Sequence, residues 1–164
     1  MKLKLSPCLW FDTEAEEAAR YYVGIFKDSK ITSIAYYGKV GQEIHGGRAG
    51  SVMTVAFELN GQSFTALNGG PIFKFSEAIS FQVDCDTQEE VDYYWDRLAE
   101  GGPVEAQQCG WVKDKFGVSW QVVPSVLSEM MTDPDTQKSQ RAMQVMLQMK
   151  KLDIAALQRA FEGS

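Results

Sequence analysis

Leu9-Trp10-Phe11-Asp12-Thr13-Glu14-Ala15-Glu16 is the stretch whose reading decides the fold. Its large apolar residues read as the end of a strand covering residues 3–11. Thr13 and Glu16 have capping-box spacing, in which the hydroxyl accepts the amide N–H three residues on and the Glu side chain reaches back. Ala15, Ala19, Tyr22 and Phe26 follow as the apolar stripe of a helix. The same signals return later. A shift of 72 sets Leu9 on Phe81, Phe11 on Val83, Asp12 on Asp84, Tyr22 on Tyr94 and Phe26 on Leu98. Residues 78–84 alternate, with Ile79, Phe81 and Val83 on one face. Thr87-Gln88-Glu89-Glu90 is a second capping box, Val91, Tyr94, Trp95 and Leu98 form a second stripe, and Gly101-Gly102-Pro103 ends it. A repeated unit of this kind rarely buries its apolar face alone. Two of them predict two curved sheets around one cleft, with helices outside.

Between these anchors, residues 31–37 read as a strand, and the five glycines of 38–50 predict a mobile loop. Ser51 to Leu59 and Ser63 to Leu67 are β-rich runs joined by Asn60-Gly61, a hairpin signal because both residues tolerate positive φ. Two further strands bracket the turn Asp114-Lys115-Phe116-Gly117. Asp133-Pro134-Asp135 opens a helix carrying Met143, Met146 and Leu147. Asp153 caps a last helix with Ile154, Leu157 and Phe161 on one side. The methionines read as packing or a dimer contact rather than a cofactor box, since Met fills irregular gaps.

The chain has 164 residues, which fits a single domain with half-repeats at about 3–68 and 78–124 and a C-terminal helical extension at about 125–164. A formal net charge of −6 argues against nucleic acid and against an anionic membrane surface as partners. No apolar run is long enough to span a bilayer, and the N-terminus lacks the pattern of a secretory signal. Three widely spaced cysteines, Cys8, Cys85 and Cys109, form neither a zinc knuckle nor a disulfide framework. The expectation is a reduced, cytoplasmic protein. His45 is its one histidine, which excludes any mechanism needing two.

Pro7-Cys8-Leu9-Trp10-Phe11-Asp12, Asn68-Gly69-Gly70-Pro71 and the run from Trp111 to Gln121 together resemble the PhnB-like branch of the vicinal oxygen chelate (glyoxalase/bleomycin-resistance) superfamily. Within it they look most like the group labelled 3-demethylubiquinone-9 3-methyltransferase. The resemblance implies an α+β fold of paired βαβββ modules, a homodimer, and a cavity inside the curved sheets. Enzymes of the superfamily hold a divalent metal with His, Gln or Glu on four strands. Carried across by pattern, those positions fall on Ser6, Thr65 or Ala66, Ala78 and Gln121. Only Gln121 can ligate, and a divalent ion needs several O or N donors. The expectation is no metal and no cofactor. The glycines at 38–50 and 68–71 also fail to open a helix after a parallel strand, as a nucleotide-type fingerprint requires.

Alternation separates the two faces of each strand. If Leu9, Phe11, Ile79, Phe81, Val83, Trp120 and Val122 pack under the helices, then Ser6, Cys8, Trp10, Ala78, Ser80, Gln82, Ser119 and Gln121 face the cleft. The candidate ligand-binding residues are Cys8, Trp10, Asn68, Gln82, Cys109, Trp111 and Gln121. They describe a small, neutral, aromatic cleft with amides and hydroxyls, suited to an uncharged or aromatic molecule. Cys8 and Cys109 read as thiols without an activating cation. His45 reads as a solvated loop residue, with a lid-borne general base as the rival. Asp84 and Asp86 favour a helix start, and Asp114 and Lys115 make a turn. The leading function is binding of a small organic molecule in a metal-free cleft. The alternatives are a metal-independent enzyme (a methyltransferase, isomerase or lyase) and a scaffold whose cleft is filled by its own side chains.

Overall fold

The computed structural model describes residues 4–164, so Leu3 of the expected first strand lies outside the described residues. The chain divides into two compact units, one ending at Phe75 and the other running from Ser76 to Ser164.

The first unit contains β1 (Cys8–Phe11), α1 (Ala15–Ile25), β2 (Lys30–Tyr36), α2 (Gln42–His45), β3 (Val52–Leu59) and β4 (Gln62–Asn68). The sheet order is β1-β4-β3-β2, with β1 parallel to β4 and the other pairs antiparallel. Setting aside the single turn of α2, this is the expected βαβββ module. Leu9, Phe11, Val55, Phe57, Leu59, Phe64 and Ala66 point to one buried face. Helix α1 buries Ala15, Ala18, Ala19, Tyr22 and Ile25, and the Tyr22 ring stacks on Phe57 with centroids 6.3 Å apart. Fully burying a side chain such as Phe57 or Ile25 contributes about 1.5–3 kcal/mol. Asn60 and Gly61 have φ of 46° and 79°, the two left-handed residues of the expected hairpin turn.

One local expectation is corrected here, and a second gains detail. Helix α1 starts at Ala15, so Thr13 sits one residue too early to cap it, and no side chain of its boundary residue does so. The Ala15 N–H donates instead to Oδ1 of the distant Asn68 at 2.8 Å. Glu16 turns away to pair with Arg20 at 2.7 Å, one turn on. The glycine-rich segment, for its part, contains the helical turn α2 and is fastened to the sheet. Tyr37 N–H donates to Ser51 O at 2.8 Å, Gly50 N–H donates to Tyr37 O at 2.9 Å, and the Tyr37 ring stacks on His45 at 4.5 Å.

The second unit contains β5 (Ser80–Cys85), α3 (Gln88–Ala99), a 3-10 turn (Val104–Ala106), β6 (Trp111–Lys113) and β7 (Ser119–Pro124). Three helices follow: α4 (Ser125–Thr132), α5 (Thr136–Met146) and α6 (Ile154–Glu162). The order is β5-β7-β6, with β5 parallel to β7. The connection repeats that of the first module, but the 3-10 turn stands where β2 would be. Pro103 has no N–H for a ladder. Gly102 lies so close to Lys113 O that a Cβ would sit 2.0 Å from it.

Val83, Cys85, Val112, Trp120 and Val122 are buried, as are Val91, Trp95 and Leu98 of α3. Ile79 departs from the expected alternation. It precedes the ladder, which begins at Ser80 opposite Ser119, and is 72% exposed. The second capping box forms in part: Thr87 Oγ1 accepts the Glu90 N–H at 3.2 Å, while the Glu90 carboxylate reaches one residue past the cap and accepts the Asp86 N–H at 2.8 Å. Asp114 does more than make its turn. It is 1% exposed, its Oδ1 accepts from the amides of Phe116 and Val118, and its Oδ2 accepts from the Trp120 indole at 2.8 Å.

Helix α4 follows directly on Pro124 and gave no separate signal in the sequence. Leu127, Met130, Ala142, Leu152 and Leu157 form the helical core, with Met131, Met146, Met149 and Phe161 packed against it. Met143 and Leu147 lie on the outer side of this layer and are exposed. Asp135 and Asp153 cap α5 and α6 as expected. The segment between α5 and α6 is tied to the sheet and to α3. Cys109 and Gly110 donate their N–H groups to Met149 O (2.9 Å) and Lys150 O (2.8 Å). Gln88 donates to Leu152 O and accepts from Ile154 N–H. Among the described residues, no helix is long and apolar enough to cross a membrane.

Candidate functional site

In the second unit, register puts two rows of side chains on the sheet face opposite α3. Trp111, Gln121 and Gln82 are neighbours across β6, β7 and β5. One step along are Lys113, Ser119 and Ser80. Gln121 Nε2 donates to Ser80 Oγ at 2.8 Å, a link between the rows. Lys113 pairs with Glu77, and the Lys113 hydrogen bond is the chief reason the Glu77 carboxyl is held below the usual carboxylate range. Ser119 is 3% exposed, and its hydroxyl has no hydrogen-bond partner among the described residues. Buried polar groups are normally paired, so an orphan of this kind calls for a water or a ligand.

Cys109 lies at the margin of this face. A pocket of about 330 Å³ is lined by Glu77, Ala106, Gln108, Cys109 and Trp111. Cys109 and Gly110 have φ of 49° and 83° and form a two-residue turn closed by mutual bonds between Gln108 and Trp111. Four of the expected ligand-binding residues, Gln82, Cys109, Trp111 and Gln121, therefore belong to the second unit. Cys8, Trp10 and Asn68 belong to the first.

Cys8 and Trp10 begin on the sheet face opposite α1, alongside Thr65 and Leu67. Cys8 is exposed, and partial burial of its thiol raises the pKa. Trp10 is clamped: its indole N–H donates to Gly70 O at 2.8 Å, and its ring meets the edge of Phe73 at 4.9 Å. Gly69 lies flat against it, and a Cβ there would be 2.3 Å from the indole. Asn68 has its polar groups occupied within the fold. Oδ1 accepts from Ala15, Nδ2 donates to Val52 O at 3.1 Å, and the main-chain O accepts from the Tyr37 hydroxyl.

The four superfamily metal positions do not fit a metal. Ser6 and Ala78 are exposed and precede their strands. Register puts Thr65 on the open face and buries Ala66 completely. Gln121 alone carries a ligating group. Among the described residues, no group of three or more His, Cys, Asp or Glu could hold a metal ion. Nor do the strand-to-helix junctions suit a nucleotide. The turn from β1 to α1 is Asp12-Thr13-Glu14 and that from β5 to α3 is Asp86-Thr87, neither with a glycine.

A second pocket, of about 490 Å³, lies in the first unit between the start of α1 and the glycine-rich segment. The reading of strand faces missed it because its walls come from loops. His45, expected as a solvated loop residue or a lid-borne base, lines it together with Arg48, Asp12 and Tyr37. His45 is not merely solvated: Nδ1 accepts from Gly47 N–H at 2.8 Å, and Nε2 lies 3.2 Å from Val40 O.

Comparison with known proteins agrees with this architecture. Residues 3–123 match the family model for 3-demethylubiquinone-9 3-methyltransferase. A structure from Bacillus cereus, described as a putative 3-demethylubiquinone-9 3-methyltransferase, PhnB protein, is 34% identical, with a TM-score of 0.65. The match covers 75% of this chain and 100% of that one. Protein PA1353 from Pseudomonas aeruginosa is 20% identical over 75% of this chain and 98% of its own, with a TM-score of 0.59, and is similar in fold. A search of the curated proteins found no match.

Proposed function

The chain belongs to the 3-demethylubiquinone-9 3-methyltransferase (PhnB-like) family, and from that premise we propose that it binds a small, uncharged organic molecule without a metal ion. The binding surface is the open face of the second sheet, with Gln82, Gln121 and Trp111 as the contacts and Cys109 at its margin. One observation carries the reading: three neighbouring strands present Trp111, Gln121 and Gln82 in a single row. An indole offers a flat apolar face, and two amides offer both donors and acceptors, which orient a planar polar ligand. The unpaired Ser119 hydroxyl in the next row supports it. Cys8 and Trp10 stand on the open sheet face of the first unit, beside Thr65 and Leu67, and are the candidate contacts of that unit by itself. Asn68 acts through position, holding the start of α1 and the end of β4 together. The protein works as a homodimer in the cytoplasm.

Methyl transfer, which the family's description suggests, finds less support in the residues, since neither strand-to-helix junction has a glycine-rich turn. A thermal-shift screen against a metabolite library, with divalent metals and S-adenosylmethionine included and metal content measured alongside, tests the proposal. The expected result is no stoichiometric metal and a shift with an organic compound that Gln82→Ala and Gln121→Ala each reduce. A ligand at about 100 times its Kd stabilises the fold by about 2.7 kcal/mol, which is readily detected. Stoichiometric metal, or a shift that both variants leave intact, overturns it.

A further inference from the structure

We propose that the pocket of the first unit is a separate binding site for a small zwitterion of the α-amino-acid type, with Arg48 taking the carboxylate and Asp12 the ammonium group. The argument starts from what is already spoken for. Of the polar side chains lining the 490 Å³ pocket, Glu16 pairs with Arg20. The Tyr37 hydroxyl donates to Asn68 O, and both ends of the Asn68 amide are bonded. His45 uses both ring nitrogens inside its own loop, and Ser51 Oγ donates to Arg48 O. The neutral Thr13 hydroxyl and the charged side chains of Arg48 and Asp12 remain. Among the described residues, neither charged side chain has an ion pair or hydrogen-bond partner, and they do not pair with each other.

The wall that carries Arg48 is built rather than loose. The Tyr37 ring is held between the His45 ring, 4.5 Å away, and the backbone of Gly47, where a Cβ would be 2.6 Å from the ring. Gly47 is therefore required for this packing, and Arg48 follows it directly. A pocket offering one free cation and one free anion, held apart, complements a molecule bearing both charges. A guanidinium matches a carboxylate with two parallel N–H bonds, and a carboxylate accepts strongly from an ammonium group. Val52 and Pro71 supply an apolar wall for a side chain. The residues are distinct from those of the sheet face, so this proposal stands or falls separately from the one above.

The test is a titration of the full chain, ¹⁵N-labelled, with each of the standard amino acids, followed by the amide signals of Gly46, Gly47, Arg48 and Gly70. The amino acid that binds best is then compared with its N-acetyl derivative, which lacks the cation, and its carboxamide, which lacks the anion. Saturable shifts at these amides are expected, with each derivative weakened about tenfold or more, as losing a charged hydrogen bond implies. Arg48→Gln and Asp12→Asn should each produce a similar loss. No shift with any amino acid, equal binding of either derivative, or unchanged binding by both variants overturns the proposal. The derivatives probe the site in the unaltered protein, so the test does not depend on the variants folding.

Discussion

Asp114 should be the most sensitive polar residue of the second unit. Its carboxylate is 1% exposed and accepts from the amides of Phe116 and Val118 to Oδ1, at 2.9 and 3.0 Å, and from the Trp120 indole to Oδ2, at 2.8 Å. Asp114→Ala removes the acceptor from all three. Trp120 is itself only 2% exposed, so water does not replace the lost partner easily. Leaving a buried donor without its acceptor costs about 1–3 kcal/mol for each donor, out of about 5–15 kcal/mol for a whole domain.

Asp114→Asn separates the contributions. The amide is the same size and keeps one oxygen. If that oxygen stays with Phe116 and Val118, the new NH₂ group faces the indole N–H, donor against donor. If it rotates, the indole is served and the two amides are not. Either orientation forfeits at least one bond, which predicts a loss of about 1–3 kcal/mol. Urea unfolding followed by tryptophan fluorescence gives the ranking, read from midpoints at constant slope. The expected order of stability is wild type, then Asn, then Ala. An Ala variant losing less than about 1 kcal/mol, the typical cost of any substitution, would refute the network. So would an Asn variant as damaged as Ala.

Two further outcomes follow from the packing and the titration of single groups. Gly69→Ala puts a methyl group within 2.3 Å of the Trp10 indole, which must swing away and give up its bond to Gly70 O. Overpacking of this kind costs about 1–3 kcal/mol, and Trp10 fluorescence should shift to the red; an unchanged spectrum and melting temperature would contradict the clamp. Burial, then the charges of Glu90, Asp84 and Asp86, push the Cys85 thiol up from 9.0 to about 12. The folded state holds the neutral thiol, so its contribution is complete below about pH 9 and fades as the pH climbs towards 12. Cys8 and Tyr94 shift in the same direction. Thermal unfolding across that window should show falling stability with a shallower slope in Cys85→Ala; an identical slope would rule out Cys85 as a contributor.

What could be read from the sequence was whatever depends on neighbours in the chain. The Asn60-Gly61 turn, the Thr87 capping box, the Asp135 and Asp153 caps and both helical stripes all follow from spacing over a few residues. What escaped was decided by partners far along the chain. Thr13 and Glu16 carry a good capping pattern, yet Asn68 takes the position because β4 delivers its side chain to the first turn of α1. Ile79 continues an apolar alternation, but the ladder that would bury it starts one residue later. Of the candidate site, Gln121 and Gln82 followed from alternation once the strands were assigned, whereas the β6–β7 register is what brings Trp111 into their row. The pocket of the first unit could not, because loops form its walls and no period marks them.

The turn at Cys109 and Gly110 gives its two amide protons to carbonyls of Met149 and Lys150, which lie beyond residue 123, the last matched by the family model. A cysteine in a left-handed conformation is an uncommon choice for such a turn, and it is held here by bonds from a segment outside the family's shared part. The extension is thus coupled to the strand that carries Trp111. If the tail detaches, even briefly, those two protons lose their shelter and exchange with solvent, and the turn that leads into Trp111 loses two of its bonds. In this chain the tail is a tensioning line for the sheet, and trimming it back to the family's common length would loosen the face where a ligand would rest.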